Sequence, residues 1–221
     1  GNDTLVGGNG DDLIDGGSGA DSISGNGGRD ELRAGSGTGD VLDGGSDDDV
    51  LYGSNDGADN LRGAAGHDRI YAYAGNDVIS GGPGDDQIDA GAGDDLVAGD
   101  GGADLIVGGS QHDTLYGHNH ASVGDGTVDD LAVDRIYGDF GTNAGEAGSG
   151  RDRIFGNGGN DLLFGEGDDD SIDAGGGTTN VVDYGTGESV VPSDFVAPTP
   201  TAPPVLGPVD VETPAATTLP S

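Results

Sequence analysis

An aspartate recurs at intervals of about nine residues through most of the chain, and these side chains are the residues best suited to chemistry. If the unit is numbered from one to nine, the aspartate occupies position 6 in all seventeen units. These residues are Asp3, Asp12, Asp21, Asp30, Asp40, Asp49, Asp59, Asp68, Asp77, Asp86, Asp95, Asp104, Asp113, Asp134, Asp152, Asp161 and Asp170. Carboxylates repeated at a fixed spacing are hard oxygen ligands, so the pattern indicates binding of a hard divalent cation such as calcium.

The overall charge favours the same kind of partner. The 221-residue chain has 42 acidic and only 7 basic side chains, and its formal net charge is −35. This charge would repel nucleic acid and anionic lipid, so we expect neither as a partner. No apolar run approaches the roughly 18 residues of a membrane span, so membrane insertion is not expected either.

The other positions of the unit predict how the aspartates are held. Glycine dominates positions 1, 2 and 4, as in GGNGDDLID from Gly7, and it permits backbone angles that turn carbonyl groups toward a common point. Position 8 is aliphatic in every unit, as at Leu5, Ile14 and Ile23. Positions 1 to 6 therefore predict a turn, and positions 7 to 9 predict a three-residue strand with its central side chain facing inward.

Two units then form one coil of an all-β parallel solenoid, and seventeen units give about eight coils and roughly 40 Å of parallel ladder. Only 32% of the residues are hydrophobic, which is too little for a large conventional core. Cations between successive acidic turns would supply the missing stabilisation. If each site needs two turns on one edge, at most about fifteen Ca²⁺ ions fit, and they would bring the formal charge to about −5.

The repeat pattern also predicts the domain organisation. We expect a roll over residues 1–187, with regular repeats over 1–173 and a degenerate last repeat over 174–187 in which Asn180 stands near the expected aspartate. Two insertions, at about 118–130 and 139–149, should form surface loops. Eight of the nine prolines lie between Pro192 and Pro220, so residues 188–221 are expected to be an extended Pro/Thr-rich linker or tail.

The motif GGxGxDxUx, in which U is a large aliphatic residue, resembles the RTX or hemolysin-type calcium-binding nonapeptide repeat. The resemblance implies a right-handed parallel β-roll with calcium in its turns, in an extracellular or cell-surface protein of bacterial type. It implies ligation by the position 6 aspartates and by carbonyl groups near positions 1, 2 and 4. Those carbonyl groups belong to Gly7, Gly8, Gly10, Gly16, Gly17, Gly19, Gly25, Gly28, Gly81, Gly82, Gly84, Gly91, Gly93, Gly99, Gly102, Gly156 and Gly159.

Three features depart from the family pattern or stand outside it. Asp47, Gln111 and Asp168 replace glycine at position 4, and the two insertions are expected to disturb the sites next to them. His112, His118 and His120 lie near Asp125, a combination that suits zinc or copper but that is also common by chance in polar loops.

Six aromatic residues at position 9 predict ladders on the outer faces of the sheets, or a contact strip for a glycan, a sister domain or another copy of the chain. They are Tyr52, Tyr71, Tyr116, Tyr137, Phe155 and Phe164. The register predicts that Tyr52 stacks on Tyr71, Tyr137 on Phe164 and Tyr116 on Phe155. The same register places Arg33 beside Asp15 and Arg62 beside Asp43.

No catalytic motif is present in the sequence, and no enzymatic activity is expected. The leading hypothesis is a calcium-binding extracellular structural module whose folding and rigidity depend on Ca²⁺. One alternative is a secretion and folding segment of an exported hydrolase or toxin. Another is a self-assembling surface fibre or adhesin subunit.

Overall fold

The structure is a computed structural model that describes residues 1–118, 134–139, 151–158, 160–165, 170–175 and 180–183. These residues form eighteen strands and no helix. The odd-numbered strands are β1 Thr4–Asn9, β3 Ser22–Gly27, β5 Val41–Ser46, β7 Asn60–Ala65, β9 Val78–Pro83, β11 Leu96–Gly101, β13 Thr114–Tyr116, β15 Arg153–Phe155 and β17 Ser171–Asp173. The even-numbered strands are β2 Leu13–Asp15, β4 Glu31–Arg33, β6 Val50–Tyr52, β8 Arg69–Tyr71, β10 Gln87–Ala92, β12 Leu105–Ser110, β14 Arg135–Asp139, β16 Leu162–Phe164 and β18 Val181–Asp183.

The strands form two nine-stranded parallel sheets, one of odd-numbered and one of even-numbered strands. Each strand pairs with the strand two places along the chain, so two repeats make one coil, as predicted. Position 8 residues pair with one another, for example Leu5 with Ile23 and Ile14 with Leu32. The fold is therefore a parallel β-roll, which confirms the fold class; the hand of the coil stays a prediction.

The core is a single column of aliphatic side chains between the sheets. Position 8 residues from Ile23 to Leu163 are at most 1% exposed, and Ala34, Ala72 and Ala90 at position 1 join them. Leu5 and Ile172 at the two ends are only partly buried. Because each coil contributes only two such side chains, the hydrophobic core is narrow.

The strands are longer than the sequence predicts. Eight of them have six residues, because the parallel pairing continues from position 7 through position 3 of the next repeat. The first part of each turn is thus also hydrogen-bonded to the neighbouring coils. At the other end of the array, Val181 and Val182 form the predicted last strand, with Leu163 paired to Val182.

The turns have left-handed backbone conformations at two positions. Position 2 and position 4 have positive φ angles in most turns, for example +112° at Gly82 and +145° at Gly84. Two non-glycine residues at position 4 keep the same conformation, namely Asp47 with a φ of 79° and Gln111 with a φ of 84°. The replacements at position 4 therefore leave the turn path intact, although they carry strain. Asp168 lies outside the described residues.

The predicted loop insertions lie almost entirely outside the described residues, as do Gly159, His120, Asp125 and the predicted tail. Among the described residues, no helix is long and apolar enough to cross a membrane.

Candidate metal sites between the coils

The position 6 aspartates form two hydrogen-bonded ladders, one along each edge of the roll. In each step the backbone N–H of one position 6 residue donates to the Oδ1 atom of the position 6 residue in the next coil, at 2.7–3.0 Å. The first aspartate ladder is Asp3, Asp21, Asp40, Asp59, Asp77, Asp95, Asp113, Asp152 and Asp170. The second aspartate ladder is Asp12, Asp30, Asp49, Asp68, Asp86, Asp104, Asp134 and Asp161, and it ends at Asn180.

The insertions do not break either ladder. The N–H of Asp104 donates to Asp134 across the first insertion, and the N–H of Asp113 donates to Asp152 across both. The expectation that the insertions displace the neighbouring turns is therefore wrong for the aspartates. The physical reason is that the extra residues enter between position 1 and position 6, so the aspartate and the strand that follows keep their register.

The second carboxylate oxygen of these residues lies inside the turn. Among the described residues, nine that share this feature are Asp21, Asp30, Asp40, Asp49, Asp68, Asp77, Asp86, Asp95 and Asp104; the Oδ2 atom of each is buried and accepts no hydrogen bond. Asp59 differs, because its Oδ2 accepts the N–H of Ser54 at 2.8 Å. A buried carboxylate oxygen without a partner is costly, so these nine atoms are suited to a positively charged partner.

Burial also raises the pKa of eight of these carboxyl groups, those of Asp30, Asp40, Asp49, Asp68, Asp77, Asp86, Asp95 and Asp104. Desolvation is the main cause, and the carboxylates of neighbouring coils add repulsion that the ladder hydrogen bond only partly offsets. The pKa rises to about 7 for Asp49 and Asp77, to about 8 for Asp86 and to about 9 for Asp104. Without a cation, the folded chain holds protons where the unfolded chain would be ionised.

Backbone carbonyl groups line the same gaps between coils. A Cβ atom on Gly81 would lie 2.4 Å from Asp86 Oδ2 and 2.7 Å from the carbonyl oxygen of Gly99 in the next coil. A Cβ on Gly102 would lie 2.0 Å from the carbonyl oxygen of Gly84 in the coil before. Carboxylate and carbonyl oxygens from two successive coils thus meet where glycine leaves space.

This donor set fits calcium. It is made of oxygen atoms only, with carboxylates and carbonyls that calcium accepts in flexible geometry. Among the described residues, no three His, Cys, Asp or Glu side chains form a cluster that could hold a metal. Both carboxylate and backbone carbonyl oxygens line these gaps; the ligand set that the resemblance implies stays a prediction. The first ladder has eight gaps between aspartates and the second has seven, which equals the predicted maximum of about fifteen ions; the number bound stays a prediction.

Sequence reasoning missed a further set of hydrogen bonds at position 5. Here the side chain accepts the position 5 N–H of the following coil, opposite in direction to the aspartate ladders. Asp11 accepts from Arg29, Asp48 from His67, and Asp85 from Ala103. The sequence feature that could have predicted these hydrogen bonds is a short acceptor side chain at position 5. The donor is the backbone N–H of the residue 18 or 19 positions later. These hydrogen bonds connect the exposed edge of one turn to the corresponding turn in the next coil.

Two histidines, His67 and His112, belong to the same set of position 5 hydrogen bonds. His67 Nδ1 accepts the N–H of Asp85 at 2.8 Å, and His112 Nδ1 accepts the N–H of Arg151 at 3.0 Å. His112 is therefore engaged in turn stacking. The zinc or copper hypothesis also involves His120 and Asp125, which the structure does not describe.

The aromatic residues stack as the register predicts. The ring centroids are 5.5 Å apart for Tyr52 and Tyr71, 4.7 Å for Tyr116 and Phe155, and 4.8 Å for Tyr137 and Phe164. Tyr73, which the sequence analysis did not include, stacks on Tyr52 at 6.4 Å. The rings face one another, so they cover each other's faces. Whether this strip contacts a partner stays a prediction.

The predicted arginine neighbours are found, with one change of partner. Arg62 pairs with Asp43 at 3.7 Å. Arg33 lies beside Asp15 in the strand register, but its guanidinium group pairs with Glu31 and lies 5.9 Å from the centre of the Tyr52 ring. Glu31 is on the same strand and the same outer face, so its carboxylate is the nearer partner.

The fold and the gaps define the class of protein: a parallel β-solenoid whose stacked acidic turns are suited to hold cations. A family profile described as RTX calcium-binding nonapeptide repeat (4 copies) matches residues 1–32, 34–56, 54–88, 80–115 and 146–181. The chain belongs to this family, and it is a calcium-binding repeat module. No curated protein shows a significant match to the chain.

Proposed function

We propose that the chain is a non-enzymatic structural module that folds when calcium binds between its coils. The observation that carries the proposal is the set of nine buried Oδ2 atoms without a hydrogen-bond donor. Calcium would supply positive charge beside these atoms, remove the repulsion between stacked carboxylates and join each coil to the next. The chain's own residues preorganise the gaps, because Oδ1 is held by the ladder and Oδ2 is left to face the metal.

The site of action that suits this behaviour is outside the cell. Repeats of this family are typical of secreted bacterial proteins, and the affinities of extracellular calcium modules are about 0.1 to 1 mM. At low cytosolic calcium the chain would remain unfolded, and it would fold on meeting external calcium. A role in secretion and folding of an exported hydrolase or toxin would rely on the same calcium-dependent folding. A catalytic domain joined to this module would favour that role.

Equilibrium calcium binding to the whole chain tests this proposal. We expect more than one and at most about fifteen Ca²⁺ per chain, bound together with the gain of strand structure, and weaker binding of Mg²⁺ because it demands near-ideal octahedral geometry. The variant Asp77→Asn should bind fewer ions. Asp15→Asn, on the exposed outer face of β2, is the matched control and should bind as many ions as the native chain. Absence of calcium binding at millimolar concentration would contradict the proposal.

A further inference from the structure

Among the described residues, the two aspartate ladders have different last members. The last member of the first ladder is Asp170, a carboxylate, and the last member of the second is Asn180, an amide. The N–H of Asp161 donates to Asn180 Oδ1 at 3.0 Å, the same length as the bond from Asp134 to Asp161 one coil earlier. Asn180 therefore occupies the position 6 site of its repeat and completes the ladder.

The amide nitrogen of Asn180 donates a hydrogen bond, which an ionised carboxylate cannot do. Asn180 Nδ2 donates to the carbonyl oxygen of Ala174, the position 1 residue of the same repeat, at 2.8 Å. In the aspartate repeats the corresponding Oδ2 lies against position 1 as well. A Cβ on Gly156 would lie 2.7 Å from Asp161 Oδ2, and a Cβ on Gly165 would lie 2.3 Å from Asp170 Oδ2. The amide thus places a donor where the repeats of Asp161 and Asp170 place an acceptor.

We propose that Asn180 is a metal-independent cap that closes the last turn of the second ladder. Two oxygen acceptors that meet at position 1 need a cation between them, whereas an amide and a carbonyl satisfy one another. The amide is also neutral, so it adds no repulsion to Asp161. Its strand, β18, is the last in its sheet among the described residues. This proposal rests on the proposed calcium function of the other turns.

The variant Asn180→Asp tests the cap in the full chain. The new carboxylate keeps the ladder acceptor but loses the bond to Ala174 and adds a charge near Asp161. At limiting calcium we expect the amides of Val181–Asp183 to exchange with solvent about tenfold faster than in the native chain, the effect of losing one hydrogen bond. The difference should shrink as calcium is raised, because the added carboxylate can then be neutralised.

Asp161→Asn is the matched control, one coil earlier in the same ladder. It introduces the same amide beside Gly156, in place of a carboxylate that faces a proposed calcium site. It should therefore lower the number of bound calcium ions. The last coil should stay protected from exchange at saturating calcium. Asn180→Asp should not lower that number. If exchange at Val181–Asp183 is the same in Asn180→Asp and the native chain at every calcium concentration, the cap is refuted. If the native chain binds no calcium at all, the proposed function itself fails.

Discussion

The two carboxylate oxygens of Asp86 have different roles, as do those of the other position 6 residues whose Oδ2 accepts no hydrogen bond. Oδ1 accepts a backbone N–H and sets the spacing of the coils, whereas Oδ2 is turned into the gap. This division explains the preference for aspartate at position 6, since its short stem allows one carboxylate to reach the neighbouring backbone and the gap at once. The hydrogen-bonding part and the charged part of the side chain can therefore be separated by mutation.

Two substitutions of Asp86 separate the effect of the hydrogen bond from the effect of the charge. Both Asp86→Asn and Asp86→Ala should lose bound calcium, because both remove the charge. Asp86→Asn keeps an acceptor for the N–H of Asp68, now bonded to Asp86 Oδ1 at 2.8 Å. Asp86→Ala leaves that buried N–H without a partner, so at saturating calcium it should be less stable than Asp86→Asn by about 1 to 3 kcal/mol in urea unfolding. Equal stability of the two variants would show that the ladder bond contributes nothing.

The raised pKa values predict how pH acts on the metal-free chain. A carboxyl group whose pKa is higher in the folded chain binds protons more tightly there. Its contribution to stability is complete below its unfolded pKa of about 4, and it is lost as the pH rises through the folded values. Those values are about 6 for Asp68 and Asp95, about 7 for Asp49 and Asp77, about 8 for Asp86 and about 9 for Asp104.

We therefore expect the strand content of the metal-free chain to increase as the pH falls from 8.5 to 5. Circular dichroism in metal-depleted buffer measures this, at low protein concentration because the isoelectric point is about 4.1. Calcium should compete with protons for the same groups, so the calcium concentration needed for folding should be higher at pH 5.5 than at pH 8. Strand content that falls on acidification would contradict this interpretation.

At the scale of the elements, the stacked turns depend on the absence of side chains at particular glycines. Gly93 has a φ of +147°, and a Cβ there would lie 1.5 Å from the carbonyl oxygen of Gly75 in the coil before. Gly10 has a φ of +109°, but nothing lies within 4 Å of its Cβ position, since it belongs to the first coil. Gly10 and Gly93 share the left-handed backbone conformation, but only Gly93 lies close to a backbone atom of the neighbouring coil.

Alanine at these two glycines should separate the cost of conformation from the cost of stacking. Gly10→Ala should lower the free energy of unfolding by about 1 kcal/mol, the effect of a left-handed alanine. Gly93→Ala should cost more than about 3 kcal/mol, because a backbone atom must move as well. Urea unfolding at saturating calcium measures both, and equal losses would show that the coils do not approach as closely as described.

The repeat frame predicted the sheets, the inward aliphatic column and the stacked aromatic pairs, because each depends only on which residue stands at which position. The pairing of individual atoms could not be read in the same way. The sequence shows that Asp11 and Arg29 are 18 residues apart, but not that a side-chain oxygen of one accepts the N–H of the other. The extension of the strands into positions 1 to 3 was missed for a related reason: glycine-rich segments have low strand propensity alone, and here the neighbouring coils impose the pairing.

At the scale of the whole molecule, the narrow core provides little hydrophobic stabilisation, and the net charge of −35 opposes folding. Nine parallel strands in each sheet stack the acidic turns at about 4.8 Å, so every coil added also adds carboxylates to the two ladders. Screening by salt weakens repulsion at the surface but reaches buried groups much less. A monovalent salt should therefore be a poor substitute for a divalent cation that enters the gaps.

The central claim is that divalent cations in the gaps between coils make this fold stable. Far-UV circular dichroism of the complete chain at pH 7.5 tests it directly, first in excess chelator, then in sodium chloride of the same ionic strength as the calcium buffer, and then in millimolar Ca²⁺. The account predicts a disordered chain in the first two conditions and the spectrum of a β-protein in the third, reversed by chelator. Full strand content in excess chelator, unchanged by added calcium, would contradict it.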